Sequence, residues 1–106
     1  MENNCDPTYG LVDEILELLT KSKSLHILLV LDRKKDPIRF SKIKKLVDSS
    51  STTVSRRLKE LEAYGLVSKN ELGEDSNVYE YSITEEGQSL SPIMQSLFDW
   101  VADRVQ

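Results

Sequence analysis

The sequence has very few of the residues that build metal, redox or catalytic sites. Its 106 residues include one cysteine and one histidine. A single thiol excludes an intrachain disulfide framework and a zinc site made of several cysteines from one chain. His26 lies in an apolar segment, where a core or boundary histidine is expected. No Gly-rich phosphate loop or Ser/His/Asp arrangement is present, so we expect no catalytic activity, no metal and no cofactor.

Long apolar runs are also absent. The longest, residues 27–31, is far shorter than the roughly 20 residues of a membrane-spanning helix. The N-terminal stretch MENNCDPTYG lacks the basic and then apolar layout of a secretory signal. We therefore expect a cytoplasmic protein that forms one domain and has no membrane partner.

Positive charge is concentrated in one part of the chain. The formal net charge is −4, yet residues 20–69 hold 13 of the 14 Lys and Arg residues against five acids, a local balance of +8. The flanking residues together carry −12. A segregated basic stretch is the expected footprint of a phosphate-binding face. The alternative is a solvated charged surface, which is common on small domains.

The basic stretch contains a predicted helix-turn-helix. An amphipathic segment over residues 41–47 is followed by a polar turn over residues 48–50 and a second helix over about residues 52–64. Ser50 or Ser51 would cap the second helix, and Gly65 stands where a left-handed C-cap is needed. A turn this short between two helices is typical of the motif.

The flanking segments predict the remaining elements. Strand-forming residues 66–71 and 78–83 follow the motif, and a hairpin in this position is a wing. Helices over about residues 9–19 and 25–31 precede the motif; the second is apolar on nearly every side, with Ser22 or Ser24 as its cap. Thr84 caps a final helix, which restarts at Pro92 with Ser91 as the second cap.

The predicted fold is α+β and mainly α. It consists of an N-terminal arm and helix over residues 1–20, a winged-helix core over residues 21–83 and a C-terminal helix over residues 84–106, all in one domain over residues 1–106. The two outer helices are extra to the winged helix-turn-helix, and we expect them to be dimerisation helices.

Several short motifs occur in order along the chain. They are Cys5, Arg39-Phe40-Ser41, the run from Ser55 to Glu62, Tyr64-Gly65-Leu66-Val67, the run from Tyr79 to Thr84 with Gly87, and Leu90, Pro92 and Trp100. With these motifs nearly the whole chain resembles HxlR-type winged helix-turn-helix transcriptional regulators of the MarR-like superfamily. The helix run is shared by many winged-helix families; the R-F-S stretch, the Y-S-I-T-x-x-G stretch and the early Cys are more specific.

Two features depart from the family pattern. Lys23-Ser24-Leu25 stands where relatives carry a Gly-Lys-Trp-like signature, and the wing carries Glu71, Glu74 and Asp75 where Arg or Lys is usual. Lys69 is therefore the one basic candidate of the wing. This acidity weakens the expectation that the wing contacts DNA.

The resemblance implies a DNA-binding homodimer, and the residues support DNA contact independently. Arg can bridge guanine O6 and N7 in the major groove, and Ser and Thr can reach bases or phosphates. Lysines of the first motif helix suit phosphates. The candidate DNA-binding residues are Arg39, Lys42, Lys44, Lys45, Ser51, Thr52, Thr53, Ser55, Arg56, Arg57, Lys59 and Lys69. For Arg56 and Arg57 the alternative is surface solubility or pairing with Glu60.

The predicted function is therefore sequence-specific regulation of transcription, as a repressor bound to a double-stranded DNA operator. The second motif helix, over about residues 52–64, would lie in the major groove. The alternative is a winged-helix protein–protein module that has lost DNA binding, which the acidic wing and the negative net charge support. The sequence does not indicate an effector.

The outer helices carry apolar stripes that predict a twofold dimer. The candidate interface residues are Leu11, Ile15, Leu19, Ile93, Leu97, Trp100 and Val101. The alternative is that both helices pack on their own core. Cys5 is a possible redox sensor, because the resemblance implies that an early Cys senses oxidants or electrophiles. With one cysteine in the chain, a disulfide would need the other subunit or a small thiol. The alternative is a boundary residue in the dimer arm.

Overall fold

The computed structural model describes residues 6–72 and 78–105, and its elements follow the predicted order. The helices are α1 (Pro7–Leu19), α2 (Ser24–Lys34), α3 (Phe40–Val47), α4 (Ser51–Ala63), α5 (Glu85–Ser89) and α6 (Ser91–Ala102). The strands are β1 (Ile38–Arg39), β2 (Val67–Glu71) and β3 (Tyr79–Ile83). The strands form one antiparallel sheet in the order β1-β3-β2.

Helix α2 forms the centre of the core. Its Ile27, Leu28 and Leu31 are almost wholly buried, and the helix packs against α1, α3, α4, α6 and β3. The apolar residues on most sides of α2 explain this position, because neighbouring elements cover them. Each such side chain contributes about 1.5–3 kcal/mol of burial free energy.

The sheet has one apolar and one polar face. Ile38 of β1 pairs with Tyr81 of β3, and Val67 of β2 pairs with Ile83. Ile38, Tyr81 and Val67 are buried. Successive side chains of a strand point to opposite faces, so Arg39, which follows Ile38, is exposed. Strands β2 and β3 form the hairpin that the sequence predicts as a wing.

The predicted helix-turn-helix and its caps are confirmed. Helices α3 and α4 are joined by the turn over residues 48–50, and the Ser50 hydroxyl accepts a hydrogen bond from the Thr53 N–H at 3.2 Å. Gly65 has a φ of 84° and ends α4 in the left-handed conformation. The Thr84 hydroxyl accepts from the Gly87 N–H at 3.0 Å at the start of α5.

Both ends of α2 differ from the prediction. Ser24 is not its cap: its hydroxyl is buried without a hydrogen-bond partner among the described residues. The helix continues past Leu31 to Lys34, because Arg and Lys are good helix formers and cations in a last turn are favoured by the helix dipole. The turns that bound it are made by Lys23 and Lys35, whose φ values are 72° and 66°.

The start of α6 also differs from the prediction. Ser91 does not cap the helix: its Oγ donates a hydrogen bond of 2.6 Å to Oδ2 of the buried Asp32 on α2. Pro92 lies in the first turn, where the missing N–H of a proline costs the helix nothing. The serine therefore fixes α6 to α2.

Two N-terminal features are corrected as well. Helix α1 begins at Pro7, two residues before the predicted start, because the Asp6 carboxylate accepts from the Thr8 N–H at 2.9 Å and so caps it. His26 lies on the exposed side of α2 and not in the core. Partial desolvation, followed by the charge of Lys23, lowers the pKa of His26 below its usual value.

Candidate nucleic-acid interface

Helix α4 turns one face to the core and the opposite face outward. Val54, Leu58 and Leu61 are almost wholly buried and fall within a narrow arc at 3.6 residues per turn. They fix the rotation of the helix about its axis. The outward face carries exposed side chains that the sequence predicts as DNA contacts: Ser51, Thr52, Ser55, Arg56 and Lys59.

These five residues line one concave surface. Its volume is about 570 Å³, and Phe40 at the start of α3 forms one wall. Arg56 and Lys59 supply two positive charges and the other three supply hydroxyl groups, and none of the lining residues in the described ranges is acidic. The surface therefore offers hydrogen-bond donors and positive charge to a polyanion.

Helix α3 adds further cations beside this surface. Lys42, Lys44 and Lys45 are exposed, as is Arg39 just before the helix. Lys42 and Lys45 line a second concave surface of about 350 Å³ with Ser41. Lys42 and Lys45 therefore share one surface of α3, and Phe40 at the start of the same helix lines the surface on α4.

Arg57 lines neither of these two surfaces. Its side chain is 11% exposed, and Nη1 donates a hydrogen bond of 2.9 Å to Glu60 Oε1. Lys21, in the turn after α1, reaches Glu60 Oε2 at 3.3 Å. The pairing with Glu60, which the sequence leaves open as the alternative, is the one that the structure has. Thr53 is half-buried, and its backbone N–H serves the cap of α4.

The wing contributes little positive charge. The Lys69 ammonium lies 4.1 Å from the centre of the Tyr79 ring, an arrangement in which the ring attracts the cation. Glu71 at the end of β2 is exposed. The acidic residues 74 and 75 lie outside the described residues.

The predicted DNA-binding residues leave out one cation of this region. Lys34 lines a third concave surface together with Arg39 and Lys42. The predicted helix stops at residue 31, short of Lys34, because the apolar pattern of α2 stops there. The run Arg33-Lys34-Lys35 is the signal that could have found it, since cations are enriched in the last turn of a helix.

Comparison with known proteins identifies the family of this chain. A sequence model of the HxlR-like helix-turn-helix family matches residues 18–106. The chain belongs to this family. The matched range includes both helices of the motif, the sheet and helices α5 and α6.

Individual transcriptional regulators are similar to this chain over shorter or longer ranges. The uncharacterized HTH-type transcriptional regulator BH0655 of Halalkalibacterium halodurans is 40% identical over 65 residues, which is 60% of this chain and 58% of that protein. The chain thus spans less than two thirds of that relative. The reduced form of the transcriptional regulator YodB from B. subtilis has a TM-score of 0.72 at 28% identity, over 92% of this chain and 91% of that chain.

A more distant structure shares the fold. S. aureus MepR in its DNA complex has a TM-score of 0.68 at 24% identity, over 94% of this chain and 82% of that chain. None of the helices within residues 6–72 and 78–105 combines the length and the apolar character needed to cross a membrane.

The two outer helices of this HxlR-like chain expose apolar side chains. Ile93, Leu97, Trp100 and Val101 of α6 are 66%, 50%, 57% and 46% exposed, and Leu11 of α1 is 60% exposed. All of these were predicted at a dimer interface.

The other two predicted interface residues are placed differently. Ile15 and Leu19 of α1 are half-buried against the core of their own chain, as the alternative reading has it. Cys5, the predicted redox sensor, lies outside the described residues.

Proposed function

We propose that this HxlR-like protein is a sequence-specific, double-stranded DNA-binding transcriptional regulator that acts as a homodimer and represses its target promoter. The outward face of α4 is the observation that supports this most, because it joins two cations and three hydroxyl groups around one concave surface. Family membership supports the same function, since the relatives are HTH-type transcriptional regulators.

In this proposal α4 lies in the major groove and Arg56 reads a base. Its exposed guanidinium can donate two parallel hydrogen bonds to guanine O6 and N7, a pairing that the other bases do not offer. Thr52 and Ser55 stand beside it and reach neighbouring bases or phosphates. Lys59 approaches the backbone one turn further along α4.

Cations before the recognition helix would hold the DNA backbone. Arg39, Lys42, Lys44 and Lys45 are exposed on or just before α3, the helix that precedes α4. Contacts with phosphates set position and orientation without reading sequence. Arg57 has no part in this set, because its charge is paired with Glu60.

The charge distribution would orient the encounter. The segments that flank residues 20–69 carry −12 and would be repelled by DNA. The cations of α3 and α4 would then face the DNA during the encounter, so a protein of negative net charge can bind a polyanion.

Dimerisation is proposed because one recognition helix reads one half-site. Two copies of α4 spaced about 34–36 Å apart would read successive major grooves. The exposed apolar face of α6 and the exposed part of α1 supply a surface that a second copy can cover. Occupation of an operator by this dimer would exclude other proteins from the same DNA, which is the proposed basis of repression.

A winged-helix module that binds another protein instead of DNA is the second candidate. The net charge of −4 and the acids of the wing favour it. Dependence on salt separates the two, because phosphate contacts release counterions and a protein–protein contact of this kind does not.

The test is selection of duplexes from a random library by the purified protein. The expected product is a twofold-symmetric site with half-sites about one helical turn apart. A failure to enrich any duplex, with the protein folded by circular dichroism, contradicts DNA binding. An enriched site without symmetry contradicts the homodimer and leaves DNA binding in place.

A further inference from the structure

The outer edge of β1 carries a concave surface that the recognition helix does not use. Its volume is about 470 Å³, and it is lined by residues from α2, β1, α3 and β3. Three of them are cations, Lys34, Arg39 and Lys42, and two are carboxylates, Asp36 and Glu80. Positive charge therefore exceeds negative charge at this surface.

Three separate features of the backbone bring the cations together. Helix α2 extends to Lys34 before Lys35 turns the chain with a φ of 66°. Burial of Ile38 in the core turns the next side chain of β1, Arg39, to the opposite face. Lys42 follows in the first turn of α3.

The cations are available to a ligand. Within residues 6–72 and 78–105, none of the three side chains forms an ion pair or a side-chain hydrogen bond. Helix α3 has no side-chain cap, so N–H groups of its first turn also keep hydrogen-bonding capacity beside this surface. Unpaired cations and free N–H groups are the donors that bind phosphate.

We propose that this surface binds backbone phosphates of DNA that flank the half-site read by α4. The inference rests on the proposed function. Ser41 and Lys42 belong both to this surface and to the one on α3 that contains Lys45, and Phe40, which precedes Ser41, lines the surface on α4. A phosphate track can therefore run from the half-site along α3 to the β1 edge.

The composition of the wing favours this alternative anchor. The loop after Glu71 carries Glu74 and Asp75 and has no Lys or Arg up to β3. The Lys69 ammonium is engaged with the Tyr79 ring. The β1 edge, at the other side of the same sheet, would supply the flanking contact that an acidic wing cannot.

The experiment compares Lys34→Met with Lys35→Met on two duplexes. The two variants lose the same charge at adjacent positions, but Lys35 pairs with Asp32 at 3.6 Å and does not line the surface. One duplex carries the selected site with long flanks, and the other is trimmed to the half-sites. Affinity is measured by fluorescence anisotropy over a range of salt concentrations.

On the long duplex, Lys34→Met is expected to lower the salt slope by about 0.9 and the affinity at 0.15 M salt roughly fivefold for each protomer. Lys35→Met should bind like wild type, and on the trimmed duplex all three proteins should bind alike. An unchanged Lys34→Met on the long duplex overturns the proposal, as does a loss that persists on the trimmed one.

Two further outcomes are distinguishable. If wild type fails to bind the long duplex, the proposed function and this inference both fall. Inorganic phosphate at constant ionic strength tests the other source of the same chemistry. If it stabilises wild type but not Lys34→Met in thermal unfolding, while both bind the long duplex equally, the surface is a free-phosphate site and the DNA assignment is overturned.

Discussion

Two adjacent arginines of α4 have different surroundings, and the helix geometry explains why. At 3.6 residues per turn, Arg56 lies about 160° from the direction of buried Val54, whereas Arg57 lies about 60° from it. Arg56 is therefore exposed, and Arg57 is drawn against the core edge, where Glu60 pairs with it. The sequence leaves both DNA contact and pairing with Glu60 open for the two arginines, because Glu60 is three or four residues from each of them on the helix.

Substitution of Arg56 should separate base reading from charge. Arg56→Ala is expected to cost roughly 1–3 kcal/mol of operator affinity and to relax specificity at one base step. Arg56→Lys keeps the charge but loses the two parallel hydrogen bonds, so it should keep the salt slope and lose the specificity. Gel-shift titrations on the selected site and on single-base variants measure both. Wild-type specificity in Arg56→Ala removes Arg56 from base reading.

Gly87 is required by space and not by backbone conformation. A Cβ at this buried position would meet the Leu66 carbonyl oxygen and the Ile83 side chain. Gly87→Ala should therefore lower the free energy of unfolding by about 1–3 kcal/mol or more. Gly10→Ala is the matched control: nothing lies near its Cβ, and in a helix it should stabilise by roughly 0.5–1 kcal/mol. Urea unfolding of both variants decides; equal effects contradict the packing argument.

At the scale of elements, α2 joins α3 and α4, the two helices of the helix-turn-helix, to α6. One side of α2 packs against α3 and α4, and another packs against α6. Near its C-terminal end, Asp32 accepts the hydrogen bond from Ser91, and Arg33 lies 4.4 Å from the centre of the Phe98 ring. The direction of α6 relative to α4 is therefore set by the last turn of α2.

Two serines test this docking contact. Ser91→Ala leaves the buried Asp32 carboxylate without its hydrogen-bond donor and should cost about 1.5–3 kcal/mol of stability. Ser24→Ala removes a buried hydroxyl that has no partner among the described residues, so stability should stay the same or rise by up to roughly 1 kcal/mol. Urea unfolding measures both changes. A larger loss for Ser24→Ala than for Ser91→Ala contradicts the assignment.

Elements with a strong local signal could be predicted, and elements set by distant contacts could not. The α4 caps at Ser50 and Gly65 follow from local chemistry, and both are confirmed. The hydrogen bond between buried Asp32 and Ser91, 59 residues along the chain, could not be predicted, because no local pattern pairs the two residues. Lys34 is missing from the predicted site for another reason: the periodicity ends where the apolar residues end, but the helix continues to Lys34.

At the scale of the whole molecule, the outer helices give an extended shape. The radius of gyration is 15.6 Å, against about 13 Å for a compact domain of about 100 residues. Helix α6, all of whose residues the structure describes, buries Met94 in the core and exposes most of its other apolar side chains. An apolar helix face exposed to this extent is expected to be covered by a partner.

Charge on that face should break the proposed dimer and leave the fold intact. Ile93, which is 66% exposed, is a suitable position. Ile93→Glu is expected to give a monomer by light scattering at micromolar concentration, with an unchanged circular dichroism spectrum, whereas wild type gives a dimer. Gln88→Glu, at an exposed site of α5 and outside α1 and α6, is the control for added charge. A monomeric wild type refutes the dimer.

The central claim is that a protein of negative net charge binds operator DNA through the cations of α3 and α4. Its most direct test is an anisotropy titration of the selected duplex and a scrambled duplex between about 50 and 200 mM salt. If Arg39, Lys42, Lys44 and Lys45 of both protomers each neutralise one phosphate, log affinity should fall against log salt with a slope of about −7 or steeper, and the selected duplex should bind more tightly throughout. A slope near zero, or equal binding of both duplexes, contradicts the account.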